Sequence, residues 1–129
     1  MNKGTCNTYG ACAVKSAMLN KSFSSPNEAW GKVAFVLFDS ESSQEKGCPK
    51  NTFLGLCEEG LIKGFSKGTY TKSIKNKDYA LKAIAILKKP NNTEVTPSEL
   101  WKKLNLGDKK HNSQMDVVLA LWENDLIVK

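Results

Sequence analysis

The chain has 129 residues, 40% hydrophobic and 25% charged, with 19 basic against 13 acidic residues and a net charge of +6. That composition is ordinary for a globular protein with an apolar core and excludes disordered, fibrous and disulfide-dense classes. No apolar run approaches the roughly 18 residues a membrane span needs, the best being Val33 to Phe38, so no membrane association is expected.

The first expected helix runs from about Tyr9 to Leu19, with Ala11, Val14 and Met18 at approximately helical spacing. Ser25 then offers an N-cap, Pro26 the first helical position and Glu28 the third residue of a capping box. Trp30, Val33, Ala34 and Leu37 follow with i, i+3, i+4, i+7 spacing, which predicts a buried helix to about Phe38. Asp39 to Gly47 is polar and reads as a solvent loop. Pro49 opens a third helix, stopped after Glu59 by Gly60. Leu61–Phe65 and Thr69–Lys72 flank Ser66-Lys67-Gly68, the pattern of a short β-hairpin.

A helix from about Lys75 to Lys89, ended by Pro90, carries Ala80, Ala83, Ile84 and Leu87 on one stripe. Thr96-Pro97-Ser98-Glu99 is a second capping box, and Leu100, Trp101 and Leu104 are its helix's inward face. The last expected helix, about Ser113 to Asn124, is followed by Leu126-Ile127-Val128, a terminal strand at most.

The chain also repeats itself. Ser25 to Val33 returns as Thr96 to Leu104, identical at the Pro, Glu, Trp and Lys positions, and Phe53 to Ile62 returns in the same order as Val118 to Ile127. The expected fold is therefore all-α with a small β-hairpin: two helix-turn-helix-like tri-helical units, an internal repeat over 9–72 and 75–129, packed as one compact domain. Helix, turn, helix, Leu-Ile resembles the winged-helix pattern, with the hairpin as wing.

A second resemblance rests on Gly47-Cys48-Pro49-Lys50-Asn51-Thr52-Phe53-Leu54-Gly55-Leu56-Cys57-Glu58-Glu59-Gly60-Leu61. This segment is similar to the signature of a small family of uncharacterised bacterial proteins, a kinship that implies no activity, cofactor or catalytic residue.

Every basic residue is lysine, and the absence of arginine favours unspecific attraction to a polyanion over bidentate reading of bases. Lys63, Lys67 and Lys72 gather with Tyr70 around the expected wing, with Lys75 and Lys77 beyond it, while Lys102, Lys103, Lys109 and Lys110 surround the second helical turn. Lys50, Asn51 and Thr52 stand at a helix N-terminus, where free N–H groups and the dipole favour an anion. These residues make a nucleic acid, bound weakly and in a salt-dependent way, the first expected partner, and another protein or a second copy of the chain the next.

The competing reading is a small-ligand or anion-binding protein, or an enzyme, using the segment from Cys48 to Glu59 with Lys50 as anion contact and Tyr70 or Tyr79 as a wall. Its chemistry is weak. Cys57 lies beside two glutamates that raise a thiol's pKa, and the only histidine, His111, sits in a polar turn. Glu28 and Glu99 have cap spacing, so their pairing needs no catalytic explanation. No catalytic residue, metal site or cofactor is expected: Cys6, Cys12, Cys48 and Cys57 lack short C-x-x-C spacing, and no phosphate-binding glycine loop occurs.

With Lys15 interrupting its first apolar stretch, the chain is expected in the cytoplasm, with Cys12 and Cys57 buried and Cys6 and Cys48 exposed. Thiol titration of freshly prepared protein, unfolded without reductant, should count four free thiols, some of them slow to react before unfolding. Fewer than four would overturn both the compartment and the core placement of Cys57.

Overall fold

A computed structural model describes residues 7–89 and 95–129; Cys6 and Pro90 lie outside the described residues. Side-chain caps set most helix starts. Asn7 accepts from the N–H groups of Tyr9 and Gly10 and opens α1 (Thr8–Met18), whose Cys12, Ala13 and Ala17 face inward. Ser25 accepts from the Glu28 N–H and opens α2 (Pro26–Leu37), which buries Trp30, Val33 and Ala34 as the spacing predicts. The capping box there is only half made, because the Glu28 carboxylate turns to the N–H and hydroxyl of Ser24.

The supposed loop of 39–47 holds a single helical turn, α3 (Glu41–Gln44), capped by Ser40 and tied down by Gln44 donating to the Phe38 carbonyl. Next comes α4 (Gly47–Glu58), begun two residues before Pro49, which fits in the first turn where no N–H is needed. The second half holds α5 (Ile74–Leu87), α6 (Pro97–Lys103) with its complete Thr96–Glu99 capping box, and α7 (Gln114–Glu123). Among the described residues no helix is long and apolar enough to cross a membrane.

The expected β-hairpin is absent. Gly60 and Gly64 take left-handed φ values of 72° and 96°, so the chain turns twice within Gly60–Phe65 instead of extending. Beyond them the donors a second strand would use are already engaged: the Gly68 N–H meets the Glu58 carbonyl, and those of Tyr70 and Thr71 meet the Glu58 carboxylate at 2.8 and 3.1 Å. A strand cannot pair through groups so occupied. Ile62 bridges antiparallel to Ile127 instead, with Lys63 donating to the Leu126 carbonyl and Val128 to that of Leu61.

The segments matched in the sequence end alike. In α4 the Leu61 N–H reaches the Leu56 carbonyl and Gly60 that of Cys57; in α7 Leu126 reaches Leu121 and Asp125 reaches Trp122. Both are Schellman closures around a left-handed residue, Gly60 or Asp125, and both deliver a Leu-Ile pair to the same bridge.

Packing then crosses the halves: α1 lies most on α7, and α5 most on α4. One core results, from Cys12 through Trp30, Phe53, Ile84 and Leu119 to Ile127. As a result Thr52 to Cys57 of α4 and Gln114 to Leu121 of α7 are all buried. A helix that reads a DNA groove keeps an open face. α4 and α7 have none along their central turns.

Gly55 lets α4 and α5 meet. A Cβ placed there would fall 2.7 Å from the Lys77 Cβ and 2.9 Å from its Cα. The clash involves backbone, so Gly55→Ala should cost about 1–3 kcal/mol in urea denaturation. Gly31, in the interior of α2, has no such neighbour within 4 Å, and Gly31→Ala should gain about 0.5–1 kcal/mol through helix propensity. Equal effects at the two sites would refute the packing role of Gly55.

Candidate anion-binding cleft

Four of the residues singled out in the sequence, Asn51, Thr52, Lys63 and Tyr70, are engaged by bonds within the fold. Thr52 is buried and its hydroxyl donates to the Cys48 carbonyl at 2.8 Å, a bond internal to α4. Asn51 accepts from the Thr71 hydroxyl at 2.8 Å, leaving Lys50, half-buried, as the remaining member of the expected N-terminal anion site. Lys63 pairs with Asp125 at 3.3 Å. Lys67 lies across Gly60, and Lys72 is exposed on the segment leading into α5. The Tyr70 hydroxyl folds back to the Ser66 carbonyl at 2.7 Å, so its ring is fastened to its own loop and not presented from a wing. Cys57 has no exposed surface, and burial pushes its thiol up from the ordinary value, which removes it as a nucleophile. Burial also pushes the Cys12 thiol up to about 12.

The glutamates at the end of α4 have a structural use. Lys77 reaches Glu58 at 2.7 Å and Glu59 at 2.6 Å, its stem crossing Gly55. With the Lys77 ammonium and the Tyr70 and Thr71 N–H groups around it, the Glu58 carboxyl is held down to about 2. One ammonium bridges two carboxylates here and backbone N–H groups take up the rest of Glu58, a tightly bonded arrangement that suits a fastening rather than a proton-transfer site.

A different set of residues converges where α5, α6 and α7 meet. Ser73 caps α5, so Lys75 and Asn76 stand in its first turn. The Asn76 carboxamide oxygen accepts from Gln114 at 3.1 Å, and the Gln114 oxygen accepts from the Asn112 N–H at 2.6 Å, which joins the starts of α5 and α7. Trp101 of α6 meets Tyr79 edge-on at 5.3 Å, and its indole N–H donates to the Lys109 carbonyl, pinning the loop before α7. The outcome is a cleft of about 290 Å³ with Tyr79 and Trp101 as its floor, Asn76 and Gln114 as its wall and Lys75, Lys109 and Lys110 as its rim. Cys48 is among its lining residues, half-buried, and no carboxylate is among the described residues that line it.

Both lysine clusters were visible in the sequence, but not that Lys75 of the first would join Lys109 and Lys110 of the second. That meeting follows from α5 packing beside α7. A larger groove of about 540 Å³ lies between α1 and α7, but its lining includes both a lysine, Lys15, and a glutamate, Glu123. Among the described residues no group of three or more His, Cys, Asp or Glu side chains could hold a metal ion.

The chain belongs to a family of unknown function, DUF6979. Its family model matches residues 6–128, so both halves of the chain, the cleft and the Glu58–Lys77 fastening all lie within the family's span. No curated protein and no solved structure matches the chain. Membership agrees with the kinship read from the sequence and, like it, brings no activity or cofactor.

The Glu58 fastening should show in acid. Its carboxyl titrates near 2 when folded and near 4.5 when unfolded, so the unfolded chain binds more protons between those values. The stabilisation is complete above 4.5 and is lost as pH falls from there toward 2. Urea midpoints measured at pH 7 and pH 3 should fall more in the wild type than in Glu58→Gln, which should already be the less stable at pH 7. Parallel losses in the two proteins would remove Glu58 from this role.

Proposed function

We propose that this protein is a non-enzymatic module that binds a phosphate-bearing partner in the lysine-rimmed cleft between α5, α6 and α7. The observation that carries the reading is the convergence of Lys75, Lys109 and Lys110 on one cleft with no acid among its described lining residues. Several lysines elsewhere are paired with acids: Lys63 with Asp125, Lys77 with Glu58 and Glu59, Lys82 with Asp78. The starts of α5 and α7 add the positive ends of two helix dipoles to the same region.

Nucleic acid is the macromolecular partner with this chemistry, and a single strand suits it better than a duplex. α4 and α7 are buried along their central turns, the wing is missing, and a concave site takes a flexible backbone more readily than a rigid rod. Lysine point charges without arginine forks favour phosphate contacts that do not read sequence. The runner-up is a small phosphorylated molecule, supported by the size of the cleft, which is near the lower end for ligand pockets.

Labelled oligothymidylate should bind at low salt with an affinity that falls with salt at a log–log slope of about 2, the value for three lysines on a single strand. Reversing Lys75, Lys109 and Lys110 to glutamate should weaken it by about tenfold or more, whereas Lys67→Glu with Lys72→Glu should do less. Absence of binding at low salt, or a larger effect of the second pair, would defeat the reading.

A further inference from the structure

The chain's only histidine closes the loop that carries two of the three rim lysines. Helix α7 starts without an ordinary cap: Ser113 is left-handed at φ 69° and its hydroxyl accepts no helix N–H. His111 supplies the acceptor instead, its Nε2 taking the Met115 N–H at 3.0 Å. A ring nitrogen that accepts carries no proton, so this bond requires the neutral imidazole. The same ring lies 5.3 Å from Trp101, whose indole N–H holds the Lys109 carbonyl. One imidazole thus links α7, α6 and the Lys109–Lys110 segment.

The groups facing it compete. Asp116 of α7 stands 3.8 Å from Nε2 and attracts the protonated ring, while Lys46 ahead of α4 repels it. Asp116 is a softened counter-ion, since its own burial raises its pKa against the opposing pull of His111 and the Asn7 backbone N–H. Burial prevails, and the imidazole is held below its ordinary 6.5. Protonation would also set a cation against the positive end of α7.

We propose that His111 is a pH-operated latch on the cleft: neutral, it caps α7 and holds Lys109 and Lys110 over Trp101; protonated at Nε2 by solvent, it releases that loop and the cleft loses its anion. The regulated event rests on the anion-binding reading above; the release of the loop does not. Because the folded pKa is lowered, the closed form is fully stable above 6.5 and loses stability as pH falls from there through the folded value.

The test is clean because one imidazole gives one set of ring signals. An NMR titration should place its midpoint below 6.5, and the protection factor of the Met115 amide should drop beneath that midpoint. Oligothymidylate keeps constant charge over this range, and one pH unit under the midpoint its affinity should fall about two- to tenfold. In His111→Gln, whose amide oxygen can still accept from Met115, affinity and protection should no longer depend on pH there. A protection factor that ignores the titration overturns the latch, as does an affinity that rises on acidification, the result expected if the imidazolium merely added one more positive charge. If oligothymidylate fails to bind at every pH, the cleft reading falls and the wild-type protection factor alone decides the latch.

Discussion

The structure turns on the approach of α5 to α4 at Gly55. Only a residue without a Cβ lets the Lys77 backbone come this close, and the closeness aims the Lys77 ammonium at Glu58 and Glu59. Glu58, oriented by that ion pair, accepts from the Tyr70 and Thr71 N–H groups and so decides the path of the chain into α5. Three consequences follow from one missing methyl group: a sealed helix pair, a fixed connection, and a first turn of α5 that places Lys75 and Asn76 opposite Gln114.

Charge is distributed with the same economy. The acids Glu58 and Glu59 are engaged by Lys77 and, for Glu58, by backbone donors. The cleft is the opposite case, with three cations over aromatic and amide walls and no acid among its described lining residues. Nearby like charges held around a concave surface focus the potential, which is a physical ground for seeking an anion there rather than along the lysines of Lys63 to Lys72. Those lysines are adjacent in sequence, but Lys63 is neutralised by Asp125 and Tyr70 is bound to its own loop.

The crossing of the two halves governs stability as well as position. With α1 seated on α7 and α5 on α4, each half completes its hydrophobic surface with a helix from the other. The paired Schellman closures then bring Ile62 and Ile127 together, joining the ends of α4 and α7 by backbone hydrogen bonds at a point where both side chains are buried. The same crossing buries α4 and α7 along their central turns, which is why a helix-turn-helix-like order of elements does not yield an exposed reading helix.

What the sequence by itself determined is local. Ser25-Pro26 and Thr96-Pro97 set helix starts, Gly60 set a helix end, and the spacing of Trp30, Val33 and Ala34 set an inward face, because caps and periodicity act over a single turn. It also indicated the buried state of Cys12 and Cys57 from their apolar neighbours. The hairpin failed because turn residues reveal where a chain bends but not which distant acceptor will take its N–H groups, and Glu58 took them. His111, read as part of a polar turn, became the cap of α7 because Ser113 gave up that role by turning left-handed. The cleft was decided only in three dimensions: Lys75 lies far in sequence from Lys109 and Lys110, and they meet through the packing of α5 against α7 and of Trp101 against Tyr79, contacts whose choice depends on the shape of the whole core.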